Sequence, residues 1–205
     1  MTATLRGNRG FTLMEIIVVI GVIGLLAAIL TPIVANYIDQ SRIAAAQTDV
    51  NTIGNAISRF EMDLGFYPMF GLSNTASYAD TYANVYWLYG ASGTVPKLSG
   101  GGSWSSGATD TIEDQLLTNT PSGGSAYPTS GSLQAFRWKG PYITSQTDPW
   151  GDAYLVNIIN CTSNPATNAC FVLSAGPDGV IQTPFNNPRN STLSPSGDDI
   201  IFRIR

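Results

Sequence analysis

The acidic side chains that could do chemistry in this chain lie in two places. Glu15 directly precedes a long apolar run, whereas residues 174–179 and 197–200 place three aspartates among Gly and Pro. Carboxylates and free main-chain carbonyls in flexible loops are the ligands that Ca²⁺ prefers. The two carboxyl-terminal segments therefore indicate a calcium site, with an ordinary Pro-Asp-Gly turn and solvated aspartates as the alternative.

Other chemistry is restricted by composition. The 205 residues include no histidine. This excludes Ser-His and Cys-His nucleophile pairs and His-ligated zinc, and we expect no enzyme. The net charge of −4 and the presence of only two lysines argue against bulk binding of nucleic acid.

The two cysteines, Cys161 and Cys170, are close together in the chain. Behind an export segment, an even number of closely spaced cysteines predicts a disulfide that closes a short loop. Two free buried thiols are the alternative.

The composition of the amino-terminal region indicates a membrane segment. No charged side chain occurs from residue 16 to residue 38, and about 23 helical residues cover the roughly 30 Å core of a bilayer. Arg6 and Arg9 precede this run and predict a cytoplasmic amino terminus. Placing the Glu15 carboxylate in a membrane costs free energy. It is tolerated if it lies at the interface near the positive end of the helix, or if it pairs with a positive group of a neighbouring chain.

The helix is expected to continue beyond the apolar run, over residues 11–64. Pro32 predicts a kink near residues 28–32, and Gly65 followed by Pro68 predicts the end. Gly54 is disfavoured inside a helix and indicates close packing. Apolar residues at helical spacing predict a stripe that packs on a globular domain; they are Ile43, Val50, Ile53, Ile57, Phe60 and Leu64.

The segment Gly10-Phe11-Thr12-Leu13-Met14-Glu15-Ile16 resembles the GFTLxE signature of type IV pilins and type II secretion pseudopilins. The resemblance implies that a prepilin peptidase cleaves between Gly10 and Phe11 and methylates the new amino group of Phe11. It also implies that Glu15 pairs with a neighbour's amino terminus during filament assembly.

Later segments are similar to motifs of the major pseudopilin. Residues 62–68 resemble D-x-G-x-Y-P, and residues 139–143 and 148–156 resemble G-P-Y-L and D-P-W-G-x-x-Y. Similarity to the pseudopilin calcium loop implies four ligands, which are the Ala175 carbonyl, Asp178, Asp198 and Asp199. The chain departs from that loop because 19 residues separate Asp178 from Asp198.

The remaining sequence predicts a small α+β domain. Strands are expected at 153–159, 170–174 and 199–204, forming an antiparallel sheet laid on the helix, with a short helix at 111–117. Residues 148–151 predict a type I turn. An insertion at about 70–131 contains Ser/Gly-rich loops and many aromatic residues. Its rings are expected to cover the domain's own core, the alternative being an exposed stacking surface for sugars or a partner protein.

The resulting expectation is a pilin-like α+β fold with a leader at 1–10, a transmembrane or fibre-core half-helix at 11–38, an amphipathic half-helix at 39–64 and an extracytoplasmic domain at 65–205. The resemblance implies a pseudopilus subunit of the bacterial inner membrane, with its carboxyl-terminal domain in the periplasm. Its implied partners are further copies of itself, minor pseudopilins or pilins, prepilin peptidase and an inner-membrane assembly platform. A surface pilus used for adhesion, motility or DNA uptake, or an anchored carbohydrate-binding module, are the alternatives.

Overall fold

The computed structural model describes residues 10–69, 85–98, 104, 107–122, 126–129, 137–162, 167–190, 192 and 194–205. The predictions for leader residues 1–9, for most of the loop at 99–107 and for the first part of the insertion fall outside these ranges. The chain divides into two compact units, one ending at Ser41 and the other beginning at Arg42.

The long helix predicted from sequence is present as α1, Leu13–Leu64. It contains Pro32, and the predicted kink there stays a prediction. The helix ends where Gly65 adopts a φ of 80° and donates its N–H to the Glu61 carbonyl at 2.7 Å. A left-handed φ of this kind favours glycine, which explains why Gly65 ends the helix.

The apolar stripe on the second half of α1 is confirmed except at its start. Its buried members are Ala46, Val50, Ile53, Gly54, Ala56, Ile57, Phe60 and Leu64. The prediction for Ile43 is wrong, because its side chain is 42% exposed. Periodicity alone cannot show where a partner surface begins to cover a helix, and here burial begins one turn later, at Ala46.

The globular unit contains a five-stranded sheet in the order β3-β1-β4-β5-β7 and a parallel pair, β2-β6. The strands are β1 Val85–Tyr89, β2 Lys97–Leu98, β3 Ala108–Thr111, β4 Leu155–Val156, β5 Phe171–Ser174, β6 Val180–Ile181 and β7 Ile200–Arg203. The short helices are α2 Ile112–Leu116 and α3 Ile159–Thr162. The predicted helix at 111–117 and the predicted strands at 170–174 and 199–204 are confirmed to within a residue or two.

The three predicted strands pair in antiparallel fashion, as expected, and two other features of the sheet depart from the sequence prediction. The sheet is mixed, since β1 pairs with β3 in parallel, whereas the other neighbours are antiparallel. The strand expected at 153–159 is shortened to Leu155–Val156. It stops because the Asn157 side chain accepts the Phe171 N–H at 2.7 Å and donates to the Ala169 carbonyl at 2.9 Å. The Phe171 N–H thus bonds the Asn157 side chain, while the Asn157 N–H makes only a long bond of 3.4 Å to the Phe171 carbonyl.

Apolar side chains cover both faces of the sheet. Along β5, Val172 packs with the α1 stripe, whereas Phe171 and Leu173 belong to a second cluster on the other face. Trp87 and Trp104 lie in that second cluster, and Trp104 is only 1% exposed. These rings of the insertion therefore cover the domain's own core. Tyr78 and Tyr82 lie outside the part of the chain that is described.

Candidate functional site

The predicted processing site lies just before α1. Gly10 and Phe11 are exposed, and the Phe11 side chain is 82% exposed. The helix begins two residues later than expected, at Leu13, with Thr12 in the capping position. A peptide bond in an exposed segment before a helix is open to a protease, because no helical hydrogen bond has to break first.

Thr12 and Glu15 form a reciprocal cap on the first turn of α1. The Thr12 hydroxyl accepts the Glu15 N–H at 3.2 Å, and the Glu15 carboxylate accepts the Thr12 N–H at 3.3 Å. This is the capping box, in which the Glu15 N–H also donates to the Thr12 carbonyl at 3.1 Å. Glu15 therefore has a role within its own chain, and the Thr-x-x-Glu spacing was the sequence signal for it.

The apolar half of α1 exposes its side chains all around. Its large apolar side chains from Leu13 to Ile38 are between 46% and 77% exposed, with Leu25 at 65%. By length and composition α1 contains a segment able to cross a membrane, and that segment is not buried within the structure. An exposed apolar surface of this extent requires lipid or other helices around it.

The motif at residues 148–156 begins with a turn. The buried Asp148 carboxylate accepts the N–H groups of Trp150 at 3.0 Å and Asp152 at 2.8 Å, and it accepts the Ser174 hydroxyl at 2.8 Å. Gly151 supplies a φ of 95°. The carboxylate is therefore committed to shaping residues 148–152, as the sequence predicted for this turn.

The two motif tyrosines attach the sheet domain to α1. Tyr154 donates its hydroxyl to Asp49 at 2.8 Å, and Tyr142 donates to Asp63 at 3.0 Å. Asp49 and Asp63 are 14 residues apart, which is nearly four helical turns and places them on one face. Both tyrosines have raised pKa values, chiefly because burial disfavours the phenolate, and the pKa of Tyr142 rises to about 12.

Asp63 also accepts the Lys139 ammonium at 2.5 Å. Burial by itself would raise the pKa of this carboxyl, but the hydrogen bonds from Lys139 and Tyr142 and the nearby positive charges hold it below its ordinary value of 3.8. The Lys-Gly-Pro-Tyr motif thus places two donors on one helix carboxylate.

Two of the candidate calcium ligands, Asp178 and Asp198, are brought into contact despite the long spacing between them. β5 ends at Ser174, Ala175 is buried, and a 3₁₀ turn follows at Gly176–Asp178. The Asp178 N–H donates to the Asp198 carboxylate at 3.2 Å. A Cβ on Gly176 would lie 2.4 Å from the Asp198 carbonyl oxygen, so only glycine permits this approach.

Asp199 points into the domain. It is 3% exposed, and one carboxylate oxygen accepts the N–H groups of Gln182 at 3.0 Å and Thr183 at 2.5 Å. The other oxygen, Oδ1, is buried without a hydrogen-bond partner, and burial raises the pKa of this carboxyl. The amide oxygen of Gln182 is also buried without a partner. Such atoms are the ones that a bound cation would satisfy.

The fit to a hard cation is therefore partial. Oxygens of the right chemistry converge on the turn, and Gln182 joins them through its amide donor, which bonds Asp178 at 2.6 Å. Asp178 already accepts this bond and one from Val180 at 2.8 Å. Within the described ranges, no three Asp, Glu, His or Cys side chains are grouped closely enough to hold a metal ion. Nothing in the sequence singled out Gln182, because a lone glutamine has no ligand spacing.

The two cysteines are joined in a disulfide. Cys161 in α3 and Cys170 just before β5 are bonded across a separation of nine residues, with their Cα atoms 4.9 Å apart. Both are fully buried. The predicted disulfide is confirmed, and it links α3 to the start of β5, a fully buried strand.

Comparison with known proteins finds the same amino-terminal signature. Residues 5–31 match a family described as the prokaryotic N-terminal methylation motif. The chain is 38% identical over 63 residues to type II secretion system core protein G of Pseudomonas aeruginosa, which covers 31% of this chain and 44% of that protein. It is 25% identical over 179 residues to the protein of the same name from Escherichia coli, covering 86% of each.

A similar match joins the chain to fimbrial proteins. It is 36% identical over 56 residues to a type IV major fimbrial protein of Dichelobacter nodosus, covering 27% of this chain and 36% of that protein. No solved structure matches the chain. It thus spans less than half of the Pseudomonas and Dichelobacter proteins, and it matches the Escherichia protein along most of its length at lower identity. The methylation motif, these relatives and the α+β fold make the chain similar to type IV pilin-like proteins and pseudopilins.

Proposed function

We propose that this chain is a pilin-like protein and a subunit of a type II secretion pseudopilus that helps to move proteins across the outer membrane. The observation that carries the proposal is the exposed segment at Gly10 and Phe11, followed at once by a capped helix whose first half is apolar on every side. The similarity of the later motifs to the major pseudopilin favours a pseudopilus over other filaments of the family.

The proposed sequence of events begins in the inner membrane. The subunit is inserted once, with its amino terminus in the cytoplasm and its carboxyl-terminal domain in the periplasm. Prepilin peptidase cleaves the peptide bond between Gly10 and Phe11 and methylates the Phe11 amine. An assembly platform then extracts the subunit, and the exposed apolar side chains of α1 exchange lipid for the helices of other copies and of minor pseudopilins.

In this proposal Glu15 has two tasks. It caps its own helix through Thr12, and its negative charge pairs with the amino group of Phe11 in a neighbouring subunit. A carboxylate that enters an apolar bundle needs such a partner, because an unpaired charge there is strongly disfavoured.

Three variants separate these tasks. Glu15→Gln can still accept the Thr12 N–H, because Gln also serves in a capping box, but it carries no charge. Glu15→Val loses both the cap and the charge, whereas Thr12→Ala loses the hydroxyl cap and keeps the charge. We expect all three to be found in the membrane fraction, and we expect filaments only from Thr12→Ala, whose first turn is weakened by about 1 kcal/mol.

The readout is the amount of the chain in sheared, sedimented filaments, compared with the amount in membranes. Normal filaments from Glu15→Gln would refute the charge pairing and leave the cap as the sole role of Glu15. If Thr12→Ala were the only variant to lose filaments, the cap, and not the charge, would limit assembly.

Calcium is proposed as a stabilising ion of the globular unit. Its ligands would be the carbonyl of Ala175 and the carboxylates of Asp178, Asp198 and Asp199, and the unpartnered oxygen of Asp199 supports this assignment. The test is the melting temperature of the full chain in detergent with calcium or with a chelator. Calcium at 100 times its Kd should stabilise the chain by about 2.7 kcal/mol.

Asp178→Ala should abolish the calcium-dependent shift, and Asp39→Ala, which removes an exposed helix carboxylate outside the ligand set, should retain it. An identical shift in Asp178→Ala would contradict the assignment. The absence of any shift in the unaltered chain would remove calcium from the proposal without affecting filament assembly.

A surface type IV pilus is the second candidate, and the 36% identity to fimbrial proteins favours it. Deletion of the chain separates the two functions, because failure of protein export indicates a pseudopilus, whereas loss of surface fibres indicates a pilus used for adhesion, motility or DNA uptake. A carbohydrate-binding role is less well supported, since Trp87 and Trp104 are buried in the core instead of forming a stacking surface.

A further inference from the structure

An arginine-lined cavity lies beside the last strand of the sheet. Its volume is about 580 Å³, and it is lined by Thr167, Arg189, Asn190 and Arg203. This volume is within the usual range of small-molecule sites, roughly 300–1,000 Å³. None of the sequence motifs and none of the proposed filament contacts uses these residues.

Main-chain bonds build the wall of the cavity. The Arg189 N–H donates to the Thr167 carbonyl at 2.9 Å, and the Ala169 N–H donates to the Asn187 carbonyl at 2.7 Å. The Arg203 guanidinium then donates to the Arg189 carbonyl. Arg203 is therefore held against the segment that carries Arg189, and both residues line the same cavity.

The surrounding charge is positive. From residue 153 to residue 205 the sequence contains only three acidic residues, which are Asp178, Asp198 and Asp199. These lie at the other end of the β5–β7 pair, where Ser174 is opposite Ile200, whereas Arg203 is opposite Phe171. Three residues of strand separate the two ends by roughly 10 Å, which exceeds the screening length of about 8 Å in physiological salt.

Arg205, two residues beyond Arg203, is not among the described residues that line the cavity. Arg205 donates to the Cys161 carbonyl at 3.2 Å and forms a hydrogen bond with the Tyr67 hydroxyl. Burial is the main cause of the raised pKa of Tyr67. The negative charge of Glu61 on α1 also raises this pKa, and the positive charge of Arg189 lowers it. Glu61 is not among the described residues that line the cavity.

The donor set favours one ligand class. Guanidinium groups bind phosphate oxygens in pairs, and two of them match the charge of a phosphate monoester better than that of a single carboxylate. The Asn190 amide and the Thr167 hydroxyl supply further neutral donors of the kind that fix a ligand's orientation. The patch is too small for a nucleic-acid backbone, which typically engages six to ten phosphate contacts.

We propose that this cavity binds a phosphate monoester group, with Arg189 and Arg203 as its charged ligands and Asn190 and Thr167 as neutral donors. The group could be carried by a small soluble molecule or by a lipid headgroup, and the recognition chemistry is the same. The proposal is independent of filament formation.

The test is calorimetric titration of the full chain in an uncharged detergent. One probe is glycerol 3-phosphate, and the other is dihexanoyl phosphatidic acid below its micelle concentration, which carries the same headgroup on short acyl chains. Equal affinities would identify a soluble phosphate, whereas tighter binding of the lipid would identify a membrane source. Either result supports the site, and the absence of binding by both probes would overturn it.

Variants locate the site. Arg203→Gln should weaken binding about tenfold or more, because it removes a charged donor, and Arg203→Lys should weaken it less. Asn190→Ala leaves the bond between Arg203 and the Arg189 carbonyl in place. It should therefore weaken binding a few-fold without lowering the melting temperature. Lys97→Gln, an exposed cation on β2, is the control and should bind normally. Equal weakening by Arg203→Gln and Lys97→Gln would show general charge attraction and refute the site.

Discussion

The substitution Gly54→Ala tests how α1 is packed on the sheet. A Cβ on Gly54 would lie 2.2 and 2.4 Å from two ring carbons of Phe202 in β7. Ordinary carbon contacts are about 3.5–4.0 Å, so the ring would have to retreat by roughly 1.3 Å or more. Overpacking of this kind costs about 1–3 kcal/mol.

Helix propensity acts in the opposite direction. Replacing glycine by alanine inside a helix contributes about 1 kcal/mol of stability. We therefore expect a net loss of about 1 kcal/mol in the unaltered background, which corresponds to a fall in Tm of about 2–4 °C for a unit of this size. In a Phe202→Ala background the obstacle is absent, and Gly54→Ala should stabilise by up to about 1 kcal/mol. The coupling energy of this double-mutant cycle is then about 2 kcal/mol.

The assay is urea or thermal unfolding of the full chain in detergent, followed by tryptophan fluorescence. All four tryptophans lie beyond Arg42, so the signal reports the globular unit. The reasoning would be refuted if Gly54→Ala had the same effect in both backgrounds, or if it stabilised the unaltered chain. Either result would mean that the Phe202 ring does not restrict this position.

Two further predictions concern the globular unit. Replacing Cys161 and Cys170 together by Ser should lower the free energy of unfolding by about 2–3 kcal/mol, since the bond closes a loop of about ten residues; an unchanged urea midpoint would show that the disulfide is dispensable. The pKa of Asp63 is lowered in the folded chain, so its bonds with Lys139 and Tyr142 stabilise the fold above pH 3.8, the ordinary value, and this stability is lost as the pH falls further. Asp63→Asn should be less stable than the unaltered chain at neutral pH and should flatten the acid limb of the stability profile; an unchanged acid limb would contradict this.

Features set by local sequence were predictable. Gly65 ends α1 because its backbone conformation favours glycine, and Asp148 shapes a turn through bonds to residues two and four positions away. The Thr12–Glu15 cap is equally local, and its spacing was available in the sequence. The apolar stripe of α1 was also predictable, except at Ile43, where burial depends on how far the sheet domain extends.

Features set by distant parts of the chain were not predictable. The parallel pairing of β1 with β3 joins segments about 20 residues apart, and β3 is the polar sequence Ala108–Thr111, which has no strand alternation. The Asn157 side chain at the end of β4 bonds Ala169, within the disulfide loop, and Phe171, just beyond it. The approach of Asp198 to Gly176, and the place of Gln182 beside Asp178, follow from the path of residues 179–197 and not from any motif.

The central claim is that the chain is cleaved after Gly10 and polymerises through its amino-terminal helix. The most direct measurement is the intact mass of the chain recovered from sheared and purified filaments. We expect a subunit that begins at Phe11 and carries one methyl group. Recovery of a chain that retains residues 1–10, or its presence only as single subunits in the membrane fraction, would contradict it.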